Sequence, residues 1–163
     1  MIVLSNGEKH EFCKKFIPDV STIAFALSHI NRYTGHVGSY SVAQHSVIVS
    51  RMLPDDLKLA GLLHDATEAY LGDVSSPLKA LLPEYKKIEA FYHSVIDDYF
   101  GIDTGHPLIK EADLRTLITE AKSFGIWCDE FPKADPYDFK IEPVMPSVAF
   151  SDFMREYNML TNT

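Results

Sequence analysis

Two ionisable residues stand side by side within an apolar stretch of this chain. His64 and Asp65 follow residues 57–63, LKLAGLL, and Glu68 comes one helical turn later. Burying such groups among apolar side chains costs several kcal/mol unless they are paired, hydrogen-bonded or bound to metal. Two explanations are therefore open for the pair: a hydrogen-bonded structural contact, or two ligands of a metal ion.

Two further segments offer residues of the same type in surroundings that are otherwise apolar. His45 stands within residues 42–49, VAQHSVIV, and Asp113 stands between Ala112 and Leu114. Imidazoles combined with carboxylates suit Mn²⁺, Co²⁺, Ni²⁺, Fe²⁺ or Zn²⁺ better than an all-oxygen Mg²⁺ or Ca²⁺ site. Such a metal would keep open positions for water and a substrate oxygen. The candidate ligands of a divalent transition metal are therefore His45, His64, Asp65 and Asp113.

Two carboxylates are candidates for proton transfer beside that metal. Glu68 lies four residues after His64 and three after Asp65, a spacing that places all of them on one helix face. Asp73 follows the helix-ending Gly72 and could reach the same cavity. Glu68 could orient or deprotonate a metal-bound water, and Asp73 could act as a proton donor or as a partner of the ligands. The alternative for Glu68 is an ordinary solvated carboxylate on a helix.

Hydrophobic spacing predicts the helices that must hold these residues in place. Capping serines and aspartates, prolines at first turns and terminal glycines set the boundaries. The predicted helices cover residues 20–30, 41–53, 56–71, 77–82, 83–101, 107–124 and 147–160. The fold class is therefore all-α, a bundle of about six or seven helices.

The rest of the chain is expected to add no second domain. Asn6-Gly7 between short apolar runs predicts a type I′ hairpin, so residues 1–17 should form a small flap. Residues 125–146 carry four prolines and are expected to wrap over the surface. We predict a single domain over residues 1–163.

Charge and cysteine content limit the classes of partner. The formal net charge of −8 disfavours a nucleic-acid or acidic-membrane surface, so neither partner is expected. Cys13 and Cys128 are far apart and are expected to be reduced thiols. The chain shows no signal-peptide pattern and no apolar run of the ~18 residues that a membrane span needs. A cytoplasmic location is expected.

The order His45, His64-Asp65, Asp113 resembles the H…HD…D signature of the HD-domain metal-dependent phosphohydrolases. Residues 43–46, AQHS, resemble the AEHS segment of bacterial 5′-deoxynucleotidases, and residues 63–79 resemble their HDxxExxxGDxxxPxK run. Residues 110–113, KEAD, resemble their KxAD motif. Small phage enzymes that remove triphosphate from dATP are also similar, including the RYTGH-like loop at 32–36. The resemblance covers residues 19–122.

This resemblance implies one divalent transition metal, held by His45, His64, Asp65 and Asp113. It also implies that Glu68 and Asp73 are the catalytic acid/base carboxylates. Arg32 matches the family's phosphate-contacting arginine. Tyr33 occupies the position where the family has tryptophan and would lie against the sugar of the substrate. Lys79 and Lys110 would contact phosphate. The implied substrate is a small nucleotide, either a dNTP cleaved to deoxynucleoside and triphosphate or a dNMP cleaved to deoxynucleoside and phosphate. Additional Mg²⁺ would accompany a triphosphate, and a homo-oligomer is expected.

Two other functions stay open at this point. A hydrolase of signalling nucleotides such as (p)ppGpp would use the same ligands, but its further motifs are absent from the sequence. A non-catalytic metal- or nucleotide-binding module could keep the ligands, but it would have no need of Glu68 and Asp73.

Overall fold

Helices make up most of the regular structure in the computed structural model, which describes residues 1–162. Within that range the α-helices are α1 (Val20–His29), α2 (Val42–Arg51), α3 (Lys58–Leu62), α4 (Glu68–Leu71), α5 (Ser76–Ala80), α6 (Pro83–Phe100), α7 (Pro107–Ser123) and α8 (Pro146–Thr161). Two short strands, β1 (Ile2–Val3) and β2 (Lys9–His10), pair antiparallel at the N-terminus. The prediction of a mainly helical chain with a small N-terminal hairpin is confirmed.

The helix boundaries follow the local signals in the sequence. Asp19 caps α1 by accepting a hydrogen bond from the Thr22 N–H at 2.8 Å, and Ser41 caps α2 through the Gln44 N–H at 3.1 Å. Proline opens α6, α7 and α8 at the first turn, where its missing N–H costs nothing. Gly101 ends α6 in the left-handed conformation.

The prediction of one continuous helix over residues 56–71 is wrong, because residues 63–67 form turns between α3 and α4. There the Ala66 N–H donates to the Leu63 carbonyl at 3.0 Å, a bond that spans three residues instead of four. The His64 Nδ1 atom also bonds the Gly61 carbonyl at 2.7 Å and competes for a helix acceptor. This division raises the count to eight α-helices within residues 1–162, against the six or seven predicted.

The N-terminal hairpin turns differently from the prediction. A type I′ turn requires positive φ at both central residues, but only Gly7, at +85°, meets that condition and Asn6 does not. The Asn6 side chain instead accepts a hydrogen bond from the Glu8 N–H at 3.0 Å, which favours an ordinary φ. His10 at the end of the hairpin is buried and contacts the Tyr92 hydroxyl of α6 at 2.6 Å. The hairpin is therefore anchored to the helical body.

Helix α2 lies at the centre of the bundle and packs against α1, α3, α7 and α8. Ile23, Leu27, Leu62 and Phe153 are completely buried in the surrounding core. The approach of α3 to α2 is close, because a Cβ atom on Gly61 would lie 3.4 Å from the Ser50 Cα atom and 2.2 Å from a methyl carbon of Leu53, which follows α2. Contact of α2 with both α3 and α7 brings the predicted ligands of three segments to one place.

Residues 126–145 contain no helix or strand and follow the surface of α7. The Tyr137 N–H donates to the Thr119 hydroxyl at 2.8 Å, and the Ile141 N–H donates to the Ser123 hydroxyl at 2.9 Å. Backbone groups outside regular structure are thereby paired with side chains of a helix. Across the described residues, no helix is both long enough and apolar enough to cross a membrane.

Candidate metal centre

The predicted ligands converge between α2, the turn after α3, and α7. His45 Nε2 lies 3.2 Å from Asp113 Oδ1 and 3.8 Å from Asp65 Oδ2. His64 Nε2 lies 3.3 Å from Asp65 Oδ2 and 3.9 Å from Asp113 Oδ1. Ligand atoms held at about 2.1 Å around one ion are themselves about 3–4 Å apart. The donor atoms of His45, His64 and Asp65 all lie within 4.8 Å of one another, so these three could hold one metal ion, a set that does not include Asp113.

His64 and Asp65 are neighbours in the chain and contribute to the same candidate site. On a regular helix, successive side chains point about 100° apart. In residues 63–67 the backbone leaves that geometry, and the His64 and Asp65 donor atoms approach to 3.3 Å. The two donor atoms therefore meet although the residues are neighbours in the chain.

Each imidazole is held by its Nδ1 atom and presents its Nε2 atom to the site. His45 Nδ1 lies 2.5 Å from Glu120 Oε1, and His64 Nδ1 lies 2.7 Å from the Gly61 carbonyl oxygen. An acceptor at Nδ1 places the proton there and leaves the Nε2 lone pair available for a metal. A histidine ligand in proteins is typically oriented in this way.

The Nε2 atoms of His45 and His64 are buried, and neither has a hydrogen-bond partner among the described residues. Although Asp113 Oδ1 is only 3.2 Å from His45 Nε2, the pair lacks hydrogen-bond geometry. Buried polar atoms without a partner are costly, whereas a cation between them and the carboxylates would satisfy all of them. The imidazole and carboxylate donors therefore fit a divalent transition metal.

The surroundings of His45 tie its protonation to metal binding. Burial and the Arg32 charge lower its pKa, but Glu120 and Asp113 outweigh them and raise the pKa to about 9. The same imidazole contact helps to hold the pKa of Asp113 below its usual range, against the effect of burial. Because a ligating imidazole is neutral, metal binding must displace the His45 proton.

Glu68 lies at the start of α4 beside this cluster. Its side chain is almost completely buried, and its Oε2 atom has no hydrogen-bond partner within residues 1–162. Burial, followed by the charges of Asp65 and Asp73, raises the pKa of Glu68 well above its usual value. Burial also raises the pKa of Asp73, while Arg32 opposes that rise. The pair therefore provides a carboxyl group that can hold a proton next to the candidate ligands.

Arg32 and Tyr33 are brought to the site by a carboxylate that the sequence prediction missed. The Arg32 guanidinium donates to Glu120 Oε2 from Nε at 3.1 Å and from Nη2 at 2.9 Å, and the Tyr33 hydroxyl donates to it at 2.6 Å. The Tyr40 hydroxyl donates to Oε1 at 2.6 Å. The predicted contacts of Arg32 with phosphate and of Tyr33 with sugar remain predictions.

A sequence signal for Glu120 was available in its spacing from Asp113. The separation of seven residues is about two helical turns, so the two side chains share one face of α7. A fully buried carboxylate needs several donors, and those donors come from residues far away in the chain. Only the packing of α2 and of the loop at residues 31–40 against α7 identifies them.

The predicted lysines lie at the edges of the cluster and are paired. Lys79 is mostly buried and forms an ion pair with Glu89 of α6. Its ammonium nitrogen also lies 5.8 Å from the centre of the Tyr85 ring. Lys110 is exposed, with its ammonium nitrogen 3.6 Å from Asp113 Oδ2. Contact of either lysine with phosphate would require its present partner to be shared or exchanged.

Comparison with known proteins relates the chain to two bacterial proteins. It is 36% identical to the uncharacterized protein YfdR of Escherichia coli over 165 aligned positions, which cover 94% of this chain and 92% of that protein. It is 29% identical to an uncharacterized protein of Rhodobacter capsulatus over 143 positions, covering 78% of this chain and 72% of that one. No family model matches. Because the identity to YfdR extends over nearly the full length of both chains, this protein belongs to the YfdR family.

Proposed function

We propose that this protein is a divalent-metal-dependent phosphohydrolase of deoxynucleotides. Its substrate would be a dNTP, hydrolysed to deoxynucleoside and triphosphate, or a dNMP, hydrolysed to deoxynucleoside and phosphate. The observation that carries the proposal concerns the buried Nε2 atoms of His45 and His64, which have no hydrogen-bond partner within residues 1–162 and lie close to Asp65 and Asp113. A structural His–Asp contact would use those nitrogen atoms in hydrogen bonds.

When bound, a divalent cation supplies Lewis acidity to phosphoryl transfer and lowers the pKa of water. His45, His64, Asp65 and Asp113 would hold it, with the imidazoles oriented by Glu120 and the Gly61 carbonyl.

The remaining residues support proton transfer and substrate charge. Glu68 is buried beside Asp65, and the raised pKa allows it to accept a proton from the attacking water. Asp73, partly buried at the same cluster, would relay a proton to the leaving oxygen. Arg32, Lys79 and Lys110 supply positive charge near the carboxylates and would attract the phosphate groups.

A substrate panel tests the proposal directly. Purified protein is incubated with Mn²⁺, Co²⁺ or Zn²⁺ and with dNMPs, NMPs, dNTPs and (p)ppGpp, and released phosphate, pyrophosphate and triphosphate are resolved. We expect phosphate from a dNMP or triphosphate from a dNTP. Pyrophosphate from (p)ppGpp alone would indicate the signalling-nucleotide hydrolase instead. Metal binding without turnover of any nucleotide would indicate the non-catalytic module.

A matched pair of variants ties any turnover to this site. Asp65→Ala removes a candidate ligand, whereas Asp98→Ala removes an exposed carboxylate of α6. We expect Asp65→Ala to lose both bound metal and turnover and Asp98→Ala to keep both. Full metal content in Asp65→Ala would refute the ligand assignment.

A further inference from the structure

We propose that Glu120 is a positioning residue that makes the order of the loop at residues 31–39 depend on metal binding at His45. The proposal rests on the proposed function, because it assumes that His45 binds the metal and that Arg32 and Tyr33 meet the nucleotide. Glu120 touches neither metal nor substrate in this scheme. It connects the residues that do.

The two oxygens of the Glu120 carboxylate serve different parts of the site. Oε1 accepts from His45 Nδ1 at 2.5 Å and from the Tyr40 hydroxyl at 2.6 Å. Oε2 accepts from the Arg32 guanidinium at 2.9 and 3.1 Å and from the Tyr33 hydroxyl at 2.6 Å. One oxygen therefore orients the candidate metal ligand, and the other holds the predicted substrate loop.

Burial makes this carboxylate unable to exchange its partners for water. Glu120 is fully buried, and its five hydrogen bonds exceed the about four lone-pair positions that a carboxylate offers. A displacement that improves contact at one oxygen must therefore alter contact at the other. Fixing His45 on a metal would fix the carboxylate and, through it, Arg32 and Tyr33.

The loop depends on these side-chain contacts for its conformation. Tyr33 and Thr34 both have positive φ, at 55° and 53°, a region that non-glycine residues seldom occupy. The contacts of Arg32 and Tyr33 with Glu120 oppose the tendency of this backbone to relax.

The coupling is tested first by Co²⁺ binding, which requires neither nucleotide nor turnover. Glu120→Gln keeps the shape of the side chain but turns one carboxylate oxygen into an NH₂ group, which cannot accept hydrogen bonds from the donors that surround it. We therefore expect Co²⁺ affinity to fall about 10- to 100-fold. Tyr33→Phe removes only a hydroxyl that contacts the opposite oxygen, and we expect it to lower Co²⁺ affinity at least about threefold. Tyr33→Phe should have no further effect in the Glu120→Gln background. Tyr99→Phe, on an exposed part of α6, is the matched control.

The second measurement is amide hydrogen exchange over residues 33–38, with and without Zn²⁺. We expect Zn²⁺ to slow exchange in the wild type and in Tyr99→Phe, and to leave it unchanged in Glu120→Gln. Circular dichroism verifies the folding of each variant; if Glu120→Gln does not fold, Tyr33→Phe still decides the question.

The coupling between metal and loop would be overturned by unchanged or higher Co²⁺ affinity in Tyr33→Phe. It would also be overturned if Zn²⁺ did not change amide exchange of the wild-type loop. Neither result would affect the metal centre. Wild-type protein that binds no Co²⁺ would overturn the metal centre itself, and the coupling with it. Metal-dependent loop exchange in a protein that hydrolyses no nucleotide would support the coupling and refute the proposed phosphohydrolase activity.

Discussion

Asp65→Ala should change the free energy of unfolding little in the metal-free protein and much more in the metal-loaded protein. Asp65 lies 3.3 Å from His64 Nε2 and 3.8 Å from His45 Nε2, and its charge raises the pKa of Glu68. Without metal, Asp65→Ala loses contacts with the imidazoles but also removes repulsion among neighbouring carboxylates. We therefore expect the metal-free free energy of unfolding to change by less than about 1 kcal/mol.

The loaded protein should lose much more. Metal present at 100 times its Kd stabilises the native state by about 2.7 kcal/mol. For a chain of 163 residues, that corresponds to a rise of about 5–10 °C in Tm. Asp65→Ala removes one of the few ligands, so the same metal concentration falls below its Kd and the rise disappears.

The assay is thermal unfolding of wild type, Asp65→Ala and Asp98→Ala, each with chelator and with Co²⁺ at 100 times the wild-type Kd. We expect similar Tm values for all proteins in chelator, and a Co²⁺-dependent rise only in wild type and Asp98→Ala. An equal rise in Asp65→Ala would refute the assignment of Asp65. A large loss of Tm in chelator would show instead that its contact with the imidazoles is structural.

Three further outcomes follow from the geometry. Co²⁺ affinity should fall about tenfold per pH unit below pH 9, because the pKa of His45 is raised to about 9 and binding requires the neutral imidazole. Calorimetry that finds the same Co²⁺ affinity from pH 7 to 8.5 would contradict this. Glu68→Gln should retain metal but lower kcat about 100-fold or more, and unchanged kcat would exclude Glu68 as the acid/base residue. Gly61→Ala should lower Tm by about 2–4 °C, because the added Cβ atom would lie 2.2 Å from a Leu53 methyl carbon and this overlap outweighs the gain in helix propensity. An unchanged Tm would mean that the Leu53 side chain moves aside freely.

Local signals predicted most of the helix boundaries because they act between residues close in the chain. Asp19 and Ser41 cap the helices they precede, and Gly101 ends α6. The same kind of reasoning failed at residues 63–67, where periodic apolar residues predicted a helix. There the His64 side chain takes the Gly61 carbonyl, and the backbone tightens into turns.

The residue types of the candidate site were also readable in advance. A histidine or aspartate in an apolar helix requires compensation wherever the helix lies, so His45, His64, Asp65 and Asp113 could be singled out without a structure. Their distances could not be read in that way. They depend on the contacts of α2 with α3 and α7, which are set by packing between residues far apart in the chain.

Glu120 shows most clearly which features follow from the sequence and which require the tertiary structure. By itself, the sequence determined the fold class, the caps and the side chains that need a partner, because these follow from local conformation and the cost of burial. Tertiary structure alone decided which partner each one has. Glu120 joins His45 to Arg32 and Tyr33 only because α2, α7 and the loop meet in the buried interior, where donors and acceptors pair within the protein.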